Sequence, residues 1–164
     1  SKGLLLLTND GELTNRLTHP RYGVVKTDRV TVDRAMSPET LEELRAGGIW
    51  LADPKTGRGH KTGPTQAKLI SRSPTGTVLE IAIQEGRNRQ IRRVLAKLGH
   101  KVREQVRIRF GPLQLDNLPP GKFRELTPRE LKQLQRAACE ARPEQSGPEH
   151  PEDGMEAEDQ SVEE

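Results

Sequence analysis

Residues 77–100 read TVLEIAIQEGRNRQIRRVLAKLGH, and the change of rhythm halfway along them sets the architecture. Thr77 to Ile83 alternates apolar and polar positions, the period of a half-buried strand. Gly86 lets the backbone turn sharply. Ile91, Val94, Leu95 and Leu98 then recur at i, i+3, i+4 and i+7, one apolar helix stripe that closes at Gly99-His100. Arg87, Arg89, Arg92, Arg93 and Lys97 crowd this strand–helix junction. Like charges so close repel one another unless an anion sits nearby, and planar guanidinium groups are suited to gripping phosphates. The competing reading is a plain solvated helix face, and the rest of the chain decides between them.

With 164 residues the chain suffices for one domain with its own core. Hydrophobic residues make up 31% of it, charged residues another 31% and aromatics only 2%. The core must therefore come from Leu, Val and Ile, with Trp50, Phe110 and Phe123 as the few large pieces. No apolar run approaches the ~20 residues that span a bilayer, and no secretory leader is visible. The single Cys139 excludes an internal disulfide and fits a reducing compartment, so a soluble cytoplasmic protein is expected. The net charge of +3 hides an asymmetry. Residues 143–164 hold nine acids and neither Lys nor Arg, which leaves 27 bases against 15 acids, a net of +12, in residues 1–142. A body that basic implies a polyanionic partner, most simply nucleic acid. The acidic stretch lacks periodicity and is expected to be a disordered tail over 139–164, following a folded domain over 1–138.

Along the body, Gly3 to Thr8 (GLLLLT) reads as a short apolar strand ended by the turn Asn9-Asp10-Gly11. A short helix through Leu13 and Leu17 stops before His19-Pro20. Val24 to Val32 alternates like a strand, and Ser37-Pro38-Glu39 opens a helix that carries Leu41 and Leu44 and ends at Gly47-Gly48. Residues 53–64 form a basic, glycine-rich loop. Ala67–Ser71 and Thr77–Ile83 read as hairpin strands about Pro74-Thr75-Gly76. Val102 to Phe110 is a strand with Arg103, Arg107 and Arg109 interleaved, and Thr127-Pro128-Arg129-Glu130 is a capping box opening a last helix to about Cys139. Mixed elements without a regular βαβ repeat predict an α+β fold: a mixed, largely antiparallel sheet with flanking helices. His19, His60, His100 and His150 are scattered and give no metal-ligand spacing. Gly57-Arg58-Gly59 lacks the context of a phosphate loop. Neither metal nor cofactor is expected.

Three ordered segments, GLLLLTNDGELTNRLTHPRY, EGRNRQIRRVLAKLGH and RIRFGPLQL…LPPGKFRELT, together resemble the bacterial ribosomal-RNA pseudouridine synthases of the RsuA type, a group that includes RluB-like enzymes. The resemblance covers roughly residues 1–135. It implies a mixed sheet crossed by a basic cleft in which RNA lies, and a cofactor-free isomerisation of a specific uridine to pseudouridine in ribosomal RNA by a monomeric enzyme.

Residue by residue, the resemblance places the family's catalytic aspartate in a GRLD motif a few residues ahead of GLLLLTNDG, upstream of Ser1, so that the 164 residues alone are expected to be inactive. Arg92 matches the basic residue that pairs with this aspartate, where a guanidinium would keep the carboxylate ionised and nucleophilic. An ordinary phosphate-binding role for Arg92 is the alternative. Asp28, in Lys26-Thr27-Asp28, stands where the family usually has a tyrosine near the target base. A carboxylate cannot stack, although in principle it could act as a base. Asp10 is expected to shape its turn rather than to react. Lys26, Arg87, Arg89, Arg93, Arg107 and Arg109 are the expected RNA-binding residues. A non-catalytic RNA-binding module derived from such an enzyme is the competing function.

Overall fold

Short polar side chains start the helices where the sequence places them. In the computed structural model, which describes residues 2–19, 22–52, 57–84 and 89–139, β1 (Lys2–Gly3) is followed by α1 (Gly11–Thr18). Asp10 caps α1 by accepting from the Leu13 amide at 3.0 Å. Strand β2 (Lys26–Val32) leads to α2 (Pro38–Ala46), which Ser37 caps through the Thr40 amide and which ends at Gly47, φ 71°. Only glycine takes that left-handed conformation without strain. Next come β3 (Trp50–Ala52), β4 (Gly59–Lys61) and the hairpin of β5 (Gln66–Ser73) and β6 (Gly76–Ile83). Then α3 (Gln90–Lys97), β7 (Val102–Phe110), β8 (Leu113–Gln114) and α4 (Pro128–Cys139) complete the described chain.

The main sheet has the order β1-β7-β2-β6-β5, with β8 paired to β7, while β3 and β4 form a separate two-stranded sheet. The pairing of β1 with β7 is parallel and the others are antiparallel, giving the expected α+β architecture. Two register shifts interrupt β2–β7, between Thr27 and Asp28 and between Thr31 and Val32. Along β2, Lys26, Asp28, Val30 and Val32 alternate onto one buried face. Val30 and Val32 join Leu79, Ile81 and Val102 of the sheet with Leu41 and Leu44 of α2 and Ile91, Val94 and Leu95 of α3 in one apolar cluster. A second cluster gathers Val24, Phe110 and Leu113 with Leu17 of α1 and Leu134 and Ala138 of α4.

The sequence reading departs from this structure in four places. Of the stretch Gly3–Thr8, only Gly3 belongs to a strand. Leu4 and Leu6 pack on the second cluster while Leu5 and Leu7 face solvent, so the alternation continues past the last bond to β7, from the Leu4 amide to the Arg107 carbonyl at 2.9 Å. Strand β2 begins at Lys26 rather than Val24. The loop expected over 53–64 contains strand β4, because the register Trp50↔Lys61 and Leu51↔His60 closes a hairpin across it. Trp50 and Phe123 are exposed, and among the described residues Phe110 is the buried Phe or Trp ring. Trp50 points outward because its neighbour Leu51 takes the inward position. Cys139 ends α4, and the acidic stretch that follows lies outside the described residues. Among the described residues no helix is long and apolar enough to cross a membrane.

The capping box of α4 is charge-assisted. Glu130 accepts from Arg124 at 2.7 and 2.8 Å and from the Thr127 amide at 2.8 Å, while Thr127 Oγ1 accepts from the Glu130 amide at 3.2 Å. The Arg124 guanidinium, and then the Thr127 amide, draw the Glu130 carboxyl from the ordinary 4.5 down to about 2. A carboxyl depressed on folding stabilises the fold fully above 4.5 and loses that effect as the pH falls toward 2. Glu130→Gln should therefore flatten the decline of thermal midpoint between about pH 4.5 and 2; identical declines in both proteins would refute the assignment.

Candidate functional site

Helix α3 turns Ile91, Val94 and Leu95 into the core and leaves its arginines at the rim. Its first cap, Arg89, is exposed and left-handed at φ 49°, with no side-chain cap bond. That conformation costs an L-residue energy the surroundings must hold in place. Arg92 and Arg93 are half-buried and diverge. The Arg92 Nη1 donates to the Val102 carbonyl at the start of β7, at 3.2 Å. Arg93 donates to the carbonyl of Ala52 at the end of β3. The Arg92 Nε is buried and has no hydrogen-bond partner among the described residues. A buried donor without a partner is costly, and native proteins carry few. Arg87 falls outside the described residues.

A polar seam runs between the two apolar clusters. Val24, just ahead of β2, belongs to one cluster and Val30 and Val32 of β2 to the other, so Lys26 and Asp28 mark the boundary. Asp28 is only 1% exposed. Its carboxylate accepts from Arg107 Nε at 2.9 Å and from Gln105 Nε2 at 2.7 Å, both on β7. Arg107 stays about a third exposed, so the pair reaches the surface through the arginine. Lys26 is buried with its Nζ 5.2 Å from the Phe110 ring centroid. Burial, and then the nearby Arg107, push its ammonium below the usual lysine range. Beneath the seam, β1 approaches β7 so closely that a Cβ on Gly3 would fall on the Arg107 carbonyl oxygen and 2.6 Å from its amide nitrogen. Only glycine, here at φ 105°, permits that approach.

The structure thus brings Lys26, Asp28 and Arg107 together on one sheet face and ties Arg92 and Arg93 to two other elements. Arg109 pairs with Thr27, which alternates onto the opposite face, so Arg109 lies exposed away from the seam. Gln105 is a site residue the sequence reading missed. Counting back two positions from Arg107 along a strand finds it, because period-two spacing returns a side chain to the same face. A groove of about 440 Å³ lined by Thr27, Arg45, Lys68 and Glu80 holds none of the residues singled out from the sequence. Among the described residues no His, Cys, Asp or Glu group is arranged to hold a metal.

Residues 1–97 match the family model of RNA pseudouridylate synthases. The chain is 41% identical over 140 residues to ribosomal large subunit pseudouridine synthase B of Bacillus subtilis, covering 84% of this chain and 54% of that protein. It is 40% identical over 137 residues to an uncharacterised RNA pseudouridine synthase of Aquifex aeolicus, covering 84% and 52%. A crystal structure of a pseudouridylate synthase matches with a TM-score of 0.68 at 31% identity, over 80% of this chain and 54% of that one. The chain spans about half the length of the curated relatives it matches.

Removing Asp28 leaves the Arg107 guanidinium and the Gln105 amide without their acceptor in a seam closed on both sides by apolar clusters. Breaking a fully buried pair costs about 3–5 kcal/mol, and the partial exposure of Arg107 brings the expectation to about 2–3 kcal/mol. Urea unfolding of Asp28→Ala should show this loss. A midpoint unchanged from the parent would mean that the pair contributes nothing to folding.

Proposed function

The chain belongs to the RNA pseudouridylate synthase family, and on that premise we propose that it serves the isomerisation of a specific uridine in ribosomal RNA to pseudouridine, as a cofactor-free monomer in the cytoplasm. The target nucleotide leaves its helix and enters the seam between the two apolar clusters. An aspartate attacks C1′ or deprotonates C2′ of the nucleoside as the glycosidic bond to N1 breaks; the base rotates and rejoins C1′ through C5 as the aspartate leaves or returns its proton, and the C5 hydrogen departs as a proton while N1 takes one up. Arg92 holds that aspartate ionised. Arg87, Arg89, Arg93, Lys26 and Arg107 hold the RNA by its phosphates, and Arg109 on the other sheet face adds to the attracting field.

The observation that carries this reading is the unsatisfied Nε of Arg92. Its neighbouring nitrogen already rests on the Val102 carbonyl. Strand β1 runs parallel to β7 with Lys2 opposite Val106 and Gly3 opposite Arg107. A segment ahead of Ser1 that kept this register would step back along β7 by one residue, roughly 3.3 Å, at a time and reach Val102 within a few positions. That is the spacing at which the resemblance puts the aspartate of the GRLD motif. The donor left over on Arg92 is the group such a carboxylate needs.

A non-catalytic RNA-binding module is the second reading, favoured by Asp28. Its carboxylate is fully engaged by Arg107 and Gln105 at the position where the family usually has a tyrosine. It is neither an aromatic platform nor a free base.

The test is pseudouridine formation on ribosomal RNA, using the chain preceded by a GRLD segment. Arg92→Ala in that protein should lower the rate by about two to three orders of magnitude, the cost of leaving a buried carboxylate without its counter-charge, while RNA affinity changes far less. Turnover by the 164 residues alone would refute the placement of the nucleophile. Activity appearing only with Asp28→Tyr would favour the binding module. RNA affinity should fall steeply with salt, log K dropping about 0.7–0.9 per phosphate contacted for each decade of salt; a flat dependence would exclude an electrostatic cleft.

A further inference from the structure

The β3–β4 hairpin has one face in the core and one in solvent. Leu51 is buried in the first apolar cluster, opposite the half-buried His60. Trp50 alternates outward, directly opposite the exposed Lys61. Its indole crosses diagonally to Gly59, where a Cβ would fall on ring atoms Cζ2 and Cε2 and 2.7 Å from Nε1. One face of the ring therefore rests on bare backbone that only glycine provides. The residue still keeps 54% of its surface exposed.

An indole left open to water and braced from below keeps one flat face available for stacking. Charge says which partner. Lys61 stands across the hairpin from Trp50 and Arg58 precedes Gly59 in a body of net +12. The hairpin is also joined to the arginine-rich helix, since Arg93 donates to the Ala52 carbonyl two residues from Trp50. A flat aromatic set among cations is how proteins hold unpaired bases: the ring takes the base and the cations take the phosphates.

We infer that Trp50, braced by Gly59, is a stacking platform for an unpaired nucleobase of the RNA, with Lys61 on the adjoining phosphate. This rests on the proposed RNA function and adds to it a residue for single-stranded recognition. The platform lies outside the seam in which the chemistry is placed, so it selects the RNA by the conformation of a neighbouring nucleotide.

Trp50 is the sole tryptophan of the chain, so its fluorescence reports on this position alone. The 164-residue chain is titrated with a single-stranded RNA oligonucleotide and with a duplex of the same composition, while affinity is measured separately by anisotropy of end-labelled RNA. Single-stranded RNA should quench the emission and the duplex should do so far less. Trp50→Ala should weaken single-strand binding by about 5- to 150-fold, with Trp50→Phe much closer to the parent. Lys61→Ala should reduce the salt slope by about 0.7. Circular dichroism of the variants checks that an outward residue has not cost the fold. RNA bound without quenching and with equal affinity for Trp50→Ala overturns the platform and leaves the family function standing. Equal quenching by duplex also overturns it. Absence of any RNA binding at low salt defeats both readings together.

Discussion

Strand β2 is hydrogen-bonded along both edges, to β6 from Lys26 to Val32 and to β7 over the same residues. A strand flanked on both sides cannot slip by one residue without exchanging its entire buried set for its exposed one. Its alternation therefore fixes which face the four helices cover. Val30 and Val32 bind α2 and α3 to that face, and Val24 with Phe110 binds α1 and α4. The charged stretch between them cannot be buried cheaply unless its groups satisfy one another, which Asp28, Arg107 and Gln105 do. The seam is thus a consequence of the sheet: two covers meeting a strand whose middle is polar.

Much of this was legible in the residues themselves. Ser37 and Thr127 announce helix starts because a short side-chain oxygen there can satisfy an amide of the first turn, whereas Asp10, read as a turn former, also caps α1. The stripe of α3 and the alternation of β6 are periodicities that any packing would reward. What the residues hide is non-local. GLLLLT reads as an apolar strand, yet its pairing with β7 stops after Gly3 and the Leu4 amide, because pairing depends on the course of β7 some hundred positions later. Trp50 reads as core from its chemistry alone, and its outward direction emerges only from the register with Lys61.

The site divides along the same line. Arg92 and Arg93 are adjacent in sequence and read as one fork of charge, yet the helix separates them and each carbonyl they reach belongs to a different strand. Arg107 and Arg109 share a strand, yet the irregularity at Asp28 and the pleat send them to opposite faces. Asp28 draws attention in sequence only by departing from the family's tyrosine. Its engagement with Arg107 and Gln105 belongs to the pairing of β2 with β7, which no local pattern announces.

A core divided by a polar seam divides the cooperativity of the molecule as well. The cluster under α2 and α3 gathers residues from five strands, whereas the one under α1 and α4 rests on Val24, Phe110 and Leu113 at one end of the sheet. Helices over the smaller cluster belong to the low-stability end of the folded ensemble, where segments open without global unfolding. In amide exchange, α1 and α4 should accordingly lose their protons before β2, β6 and α3. Opening of that cover would bare the Lys26 end of the seam while the rest of the sheet stays whole.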